Sequence, residues 1–325
     1  MNIGIISFAH MHANSYADCL LEIDGVSLYG ISDDNVARGN AAAERYDTRF
    51  IEDYHNLLAL NELDGVIICT ENAKHKEVVL AAAKAGKHVL CEKPLAVNKE
   101  DAWEMIEVCR QHGVILQTAF PVRYNASVKR VKQMIEKGDL GRIVSIRSTN
   151  RGQNPGGWFV NQELSGGGAV LDHTVHVIDL MRWFMNSEVK EVYAEIDTKF
   201  CDFPIDDCGI LTLEFDNGVF ASHDPSWSRS KTFPTWGDVT MEIVGTKGVT
   251  RLNAFAQNLT LYSDKEKKIS QEFWGNSMDK GLIQDFISAI TEKREPSISG
   301  YDGLKAMEVA LAAYESARLK KPVLI

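Results

Sequence analysis

The chain opens on an apolar run of strand length, Asn2–Ser7. Ala13–Leu21 follows, with apolar residues at helical spacing up to the turn signal Asp24-Gly25. The alternation then repeats. Val26–Ile31 reads as a strand and Val36–Tyr46, rich in alanine and charge, as a helix. Leu63–Thr70 holds Val66-Ile67-Ile68, the mark of a strand buried on both faces. Lys76–Ala85 is helical and stops at Gly86, Val89–Cys91 is a strand, and Asn98 caps a helix to about His112 with Asp101 in capping-box position. Val114–Ala119 is the last strand of the series. Strands alternating with helices of this length imply βαβ units and a parallel sheet.

Past about Phe120 the rhythm changes. Ala126–Lys137 reads as a helix, Arg142–Thr149 as a strand, Asn150–Gly168 as a loop rich in Gly and Asn, and Leu171–Met185 as a helix. Short strands then follow one another from Val189 to Phe273, separated by turns such as Asp216-Asn217-Gly218, before closing helices at Leu282–Thr291 and Gly303–Leu319. The pattern predicts an α/β Rossmann-type N-terminal domain with a parallel sheet over residues 1–120. It predicts an α+β C-terminal domain with a large open, mostly antiparallel sheet over residues 121–325, serving substrate binding and oligomerisation.

Charge narrows the function. Lys and Arg number 35 against 45 Asp and Glu, a formal net charge of −10, with no basic patch, so neither nucleic acid nor an anionic membrane surface is an expected partner. No apolar run reaches the roughly 18 residues of a membrane span, and MNIGIISFAH lacks the basic leader of a signal peptide. The six cysteines are scattered without a CxxC pair, as suits reduced thiols in a cytoplasm.

Ligands bind doubly wound sheets at the carboxyl ends of the strands. The first turn, Ser7-Phe8-Ala9-His10-Met11-His12, stands where a G-x-G-x-x-G fingerprint belongs, with Ser, Ala and His at the glycine positions. Small residues at 7 and 9 still let the backbone approach a pyrophosphate at a helix N-terminus, whereas His12 for the third glycine challenges close helix–strand packing. Asp33, after the second strand, can accept both ribose hydroxyls of adenosine. Asp34 adds negative charge and no arginine adjoins the pair, which favours NAD over NADP. The same two acids would also suit a helix start.

Cys91-Glu92-Lys93-Pro94-Leu95 ends one strand, after Thr70-x-Asn72-x-x-His75 at the end of the strand before it. With Gly166-Gly167-Gly168-Ala169-Val170-Leu171-Asp172-x-x-x-His176-x-x-Asp179 and Asp302-Gly303-Leu304-Lys305-Ala306, these motifs resemble the Gfo/Idh/MocA oxidoreductases over essentially the whole chain. That family includes glucose–fructose oxidoreductase and inositol dehydrogenase. Two departures are the first loop and Thr174, which stands where D-x-G-x-H has glycine. The resemblance implies a cis Lys93–Pro94 bond and cofactor contacts from Ser7, Phe8, Ala9, His10, His12, Asp33, Thr70, Asn72, His75, Glu92 and Lys93. It makes His176 the acid/base, Asp172 the group that binds the substrate hydroxyl and orients the histidine, and Lys93 a neighbour of that hydroxyl. It points to a sugar or cyclic polyol as substrate and to a homodimer or homotetramer.

The chemistry agrees with those roles. Hydride transfer from an alcohol needs a base for the proton and a cation for the developing alkoxide. Asp172 and His176 are i and i+4, on one helix face, and a histidine titrates near neutral pH. Arg123, Arg151, Trp158 and His173 complete the expected substrate contacts, with Trp158 offering a flat face to a sugar ring or else plain core packing. His223, Trp227 and Trp236 lie in the strand region and suit either pocket or interface. Two other classes stay open. His10, His12, His173 and His176 with Asp172 could hold a metal in a lyase or epimerase, though the spacing is not a specific ligand pattern and no metal is the expectation. A non-catalytic NAD-binding regulator on the same fold would have no need of Lys93, Asp172 and His176 together.

Overall fold

The computed structural model describes residues 1–256 and 258–325, with residues 271–273 described as strand only. The first half runs β1 (Asn2–Ile6), α1 (His12–Leu21), β2 (Ser27–Ser32), α2 (Val36–Arg45), α3 (Tyr54–Leu58), β3 (Gly65–Ile68), α4 (His75–Lys84), β4 (His88–Cys91), α5 (Lys99–Gln111) and β5 (Leu116–Thr118), alternating as its periodicity predicts except for the short helix α3, which the periodicity does not announce. The strands form a parallel sheet in the order β2-β1-β3-β4-β5. The direction of winding reverses between β1 and β3, so a crevice is expected beyond the carboxyl ends of these two strands. Val66, Ile67 and Ile68 are fully buried, as the unbroken apolar run requires.

Local chemistry sets the helix ends. Asn98 accepts from the Asp101 amide at 2.8 Å and its own amide donates to the Asp101 carboxylate at 2.7 Å, so the expected cap forms with a side-chain bond closing it. Helix α1 starts at His12, where the fingerprint would have glycine. Close packing survives because Ala13 and Ala17, not residue 12, form the buried face with Tyr16 and Leu20.

The second half runs α6 (Ala126–Glu136), β6 (Ile143–Thr149), α7 (Gln162–Ser165), α8 (Ala169–Met185), β7 (Val189–Asp197), β8 (Cys208–Phe215), β9 (Phe220–Asp224), β10 (Thr240–Gly245), β11 (Val249–Asn253), β12 (Asn258–Ser263), β13 (Lys268–Phe273), α9 (Met278–Glu292), α10 (Gly300–Leu319) and β14 (Val323–Leu324). Seven strands form a sheet in the order β11-β10-β6-β9-β8-β7-β14, antiparallel except for the parallel pair β6–β9, while β12 and β13 form a separate ribbon. Helix α8 packs on β6 and β8.

The chain forms two compact units that interleave. One holds Met1–Pro121, Gly157–Gly167 and Asp279–Met307; the other holds Val122–Gly156, Gly168–Met278 and Glu308–Ile325. The chain passes from one unit to the other several times along its length. The Asn150–Gly168 stretch is not loop throughout: Asn161 caps α7, whose neighbour Asn72 donates to the Ser165 carbonyl at 2.8 Å. Short, uncapped-looking polar segments carry too little periodicity to announce such a helix.

Candidate active site

The nucleotide end builds on β1. Ser7 has a φ of 71°, the left-handed region that a glycine occupies freely and that costs other residues roughly 1–2 kcal/mol. Its hydroxyl accepts from the Ala9 amide at 3.1 Å, recovering part of that cost locally. Asp33, 1% exposed, accepts from the Phe8 amide at 2.7 Å and the Asn35 amide at 2.8 Å.

Here one expectation is corrected. An arginine does adjoin the acids: Arg38 reaches Asp33 through Nε at 2.9 Å and Nη2 at 2.7 Å, and Asp34 at 3.1 Å. Arg38 lies in the first turn of α2, four residues after Asp34, so the turn brings the guanidinium back to the carboxylates that precede the helix. Lys74 also pairs with Asp34 at 2.7 Å.

Just after β3, Thr70 Oγ1 and Asn72 Oδ1 are buried and make no hydrogen bond to the described residues, as atoms awaiting a ligand would. The turn, the buried acid after β2 and these two atoms fit a dinucleotide. His75 has another task. It is fully buried, burial lowers its pKa and keeps it neutral, and its Nδ1 donates to the Pro94 carbonyl at 3.0 Å. It thereby braces the segment carrying the Lys93–Pro94 bond, which is cis as the resemblance implies.

Glu92 is completely buried. It accepts from Tyr16 Oη at 2.6 Å, from His12 Nδ1 at 2.9 Å and from the Lys93 amide at 3.0 Å. Burial alone would raise its pKa; the charges of His10 and His12, the His12 hydrogen bond and Lys93 outweigh this and hold it well below the usual range. Burial likewise pulls His12 down, but Glu92 wins and the pKa rises. His10, His12 and Glu92 offer three ligand atoms within 4.8 Å of one another, the one group among the described residues able to hold a metal ion. Glu92 was not anticipated as the partner, because 80 residues separate it from His12.

Trp158, expected at the substrate, lies on the 3₁₀ segment Gly157–Val160 of the nucleotide unit. Its Nε1 donates to the Ala9 carbonyl at 3.1 Å and its ring stacks on Phe159 at 3.8 Å. Lys93 is 5% exposed.

In the other unit, α8 carries Asp172 in its first turn and His176 one turn on. The helix starts on glycine for a steric reason: a Cβ at Gly168 would overlap the Asp206 carbonyl oxygen. The Asp206 carboxylate accepts from the Gly168 amide at 2.9 Å and the Val170 amide at 2.8 Å, capping α8 from 36 or more residues away. Trp227 Nε1 donates to Asp172 Oδ2 at 3.2 Å, and His173 Nε2 lies 3.3 Å from the same oxygen. Thr174, where the family has glycine, is fully buried.

Arg123 makes a two-pronged ion pair with Asp179, at 2.7 and 2.6 Å, and both are buried. Removing one partner from such a pair costs about 3–5 kcal/mol, so this arginine holds the fold. Arg151 lies 3.8 Å from Asp224 and Asp238 and lines a cavity of about 510 Å³ with Arg147, His223, Glu242 and Arg251.

A parallel sheet ending in this turn, with a buried acid after β2 and a lysine after β4, defines a Rossmann-type NAD-binding oxidoreductase. Residues 1–120 match the family described as an oxidoreductase family with an NAD-binding Rossmann fold, and residues 128–251 match the GFO/IDH/MocA C-terminal domain. The chain belongs to the GFO/IDH/MocA oxidoreductases. It is 30% identical over 334 residues to the myo-inositol 2-dehydrogenase of Thermotoga maritima, covering 99% of this chain and 98% of the relative. It is 29% identical to the 1,5-anhydro-D-fructose reductase of Ensifer adhaerens over 90% of this chain and 89% of that one. A solved levoglucosan dehydrogenase, in complex with NADH and L-sorbose, superposes with a TM-score of 0.86 at 25% identity, covering 100% and 98% of the two chains.

Proposed function

We propose that this protein is an NAD-dependent dehydrogenase that oxidises a ring hydroxyl of a sugar or cyclic polyol. The reading rests on the presence of two intact motifs in the chain: Glu92-Lys93-Pro94 after β4, and Asp172-x-x-x-His176 opening α8. Inositol, anhydrofructose and levoglucosan, the compounds named for the relatives and the solved neighbour, set the substrate class.

Bound NAD supplies the hydride acceptor. Ser7, Ala9, His10 and His12 serve the pyrophosphate turn, Thr70 and Asn72 its neighbouring polar atoms, and Asp33 the adenosine ribose. Lys93 holds its ammonium at the substrate oxygen and stabilises the alkoxide as it forms. Asp172 accepts a hydrogen bond from the substrate, and a ring nitrogen of His176 takes the hydroxyl proton. NAD is the expected cofactor because Asp33 and Asp34 would repel a 2′-phosphate, even with Arg38 present. His10, His12 and Glu92 are read as an ion-pair cluster and not a metal site. The protein works in the cytoplasm as a homodimer or homotetramer whose open sheet face covers that of a second copy.

A panel of inositols, aldoses and anhydrosugars, followed at the absorbance of the reduced nicotinamide, tests the reading. At least one should be turned over with NAD, and prior dialysis against a chelator should leave the rate unchanged. No reduction of NAD by any member, with cofactor binding verified, would favour a regulator; loss of rate with the chelator would restore the metal reading.

A further inference from the structure

Both ring nitrogens of His173 lie near oxygen atoms, one in a hydrogen bond and one at ion-pair distance. Nδ1 lies 2.9 Å from the Pro225 carbonyl oxygen, and Nε2 lies 3.3 Å from Asp172 Oδ2. A neutral imidazole has one N–H and one lone pair; with the N–H spent on the Pro225 carbonyl, the Nε2 lone pair is left beside the Asp172 carboxylate. A single proton added between Nε2 and Oδ2 removes the conflict. Reference pKa values of about 6.5 for histidine and 3.9 for aspartate place that proton on the ring. Trp227, which can only donate, gives its N–H to the same oxygen, at 3.2 Å, and so favours the anion.

The ring has no room to turn away. It is 5% exposed, and a Cβ on Gly152 would come within 2.6 Å of its Cε1. Gly152 is itself fixed, its amide donating to the Ser226 carbonyl at 3.1 Å and its carbonyl accepting from the Arg229 amide at 2.9 Å. The indole of Trp227 meets the imidazole edge-on, with centroids 6.4 Å apart and planes at 82°. The other ionisable groups on these elements are His176, Asp179 and Arg182 on α8, His223 and Asp224 on β9, and Arg151, Arg229 and Asp238; Asp179 pairs with Arg123 and Arg182 with Glu188. Arg229 pairs with Asp238, and Arg151 lies 3.8 Å from Asp224 and Asp238, so these four groups offset one another. His223 stays neutral, its pKa pushed to about 3 by burial and then by the charge of His173.

We infer that His173 is an imidazolium at neutral pH that fixes Asp172 as an oriented anion, acting as a positioning residue and not as a contact of the substrate. The inference rests on the proposed role of Asp172 toward the substrate hydroxyl. A carboxylate that accepts from Trp227 at Oδ2 and is paired there with a cationic ring resists taking up a proton during the reaction, so it stays an acceptor for the hydroxyl and leaves proton transfer to His176.

The test needs no substrate at first. Long-range ¹H–¹⁵N correlation spectra of labelled protein at pH 8, assigned by the signals lost in His173→Asn, should show both ring nitrogens of His173 protonated, where a histidine of ordinary pKa is more than nine-tenths neutral. Asp172→Asn should convert that ring to a neutral tautomer. A neutral pattern at pH 8 with Asp172 in place would overturn the inference, and this arm uses the parent fold even if a variant fails to fold. With a substrate in hand, His173→Asn should lower kcat roughly tenfold to a hundredfold, the worth of a charge-assisted hydrogen bond, with KM and NAD affinity nearly unchanged. A raised KM with unchanged kcat would make His173 a substrate contact instead. An imidazolium in the spectra together with parent-like kcat in Asp172→Asn would leave the charge standing and remove Asp172 from the proposed mechanism.

Discussion

At the scale of single residues, Lys93 and His176 carry the proposed chemistry. Lys93→Ala should leave NAD binding nearly intact, because its amine serves the substrate, and should cut turnover on the order of 10²–10⁴. His176→Ala should do the same, and the double variant should fall far short of the product, since groups acting on one proton and one charge are not additive. Steady-state rates within about threefold of the parent, with folding verified, would remove both from the site. The adenosine end makes a second prediction. Asp33 is occupied by Arg38 and two backbone amides, so NAD must exchange some of these bonds for ribose hydroxyls. NAD should still bind roughly tenfold to a hundredfold tighter than NADP. Asp33→Ala should narrow the gap, and Arg38→Ala should weaken whatever NADP binding remains. Calorimetry reporting tighter NADP binding by the parent would contradict the reading of both acids.

At the scale of elements, β9 carries a buried histidine whose cost depends on pH. His223 sits opposite Ser148 in the parallel β6–β9 register, with its Nδ1 3.0 Å from Ser148 Oγ, and is 1% exposed. Its pKa falls from 6.5 to about 3, through burial first and the charge of His173 second. Below pH 6.5 the unfolded chain therefore binds a proton that the folded chain refuses. Stability should fall as pH drops from about 6.5 toward 3, by up to roughly 5 kcal/mol from this group. His223→Gln should make the slope of unfolding free energy against pH shallower across that window. An unchanged slope in urea titrations at pH 6.5, 5.5 and 4.5 would show that His223 ionises freely.

At the scale of the molecule, the seven-stranded sheet has two unlike faces. One is lined by buried Ile146, Leu211, Leu213, Ala221 and Ile243. The cross-strand register sets Ile210, Phe220 and Val249 on the opposite face, where they are 52%, 59% and 57% exposed beside Arg147 and Glu242. Large apolar side chains exposed across one sheet face suit an interaction surface, and the proposed occupant is a second copy of the chain. Phe220→Glu should lower the molar mass seen by light scattering toward that of one chain, 36.2 kDa, while NAD binding persists. A parent protein already at that mass would remove the oligomer from the proposal. Among the described residues, no helix is long and apolar enough to cross a membrane.

Periodicity in the sequence determined the strands of the parallel sheet and the longer helices between them, because most of those strands are buried on both faces and each helix on one, which writes them into local spacing, whereas the short helices α3 and α7 were not legible. The motifs that hold Lys93, Asp172 and His176 were legible through the family resemblance, since a strand end and one helical turn are local matters. Contacts between distant residues were decided only by tertiary structure. Glu92 meets His12 and Tyr16 across the parallel sheet, Asp206 caps a helix it does not adjoin, and Trp158 bonds the Ala9 carbonyl 149 residues away. Arg38 lay one turn from the acids it pairs with and was legible from i,i+4 spacing, but only once α2 was seen to begin right after Asp34 and Asn35. The two acceptors around His173 come from its own neighbour and from Pro225, 52 residues on. Spacing along the chain records which face a residue takes, whereas the charge a buried side chain carries depends on what the folded chain sets against it.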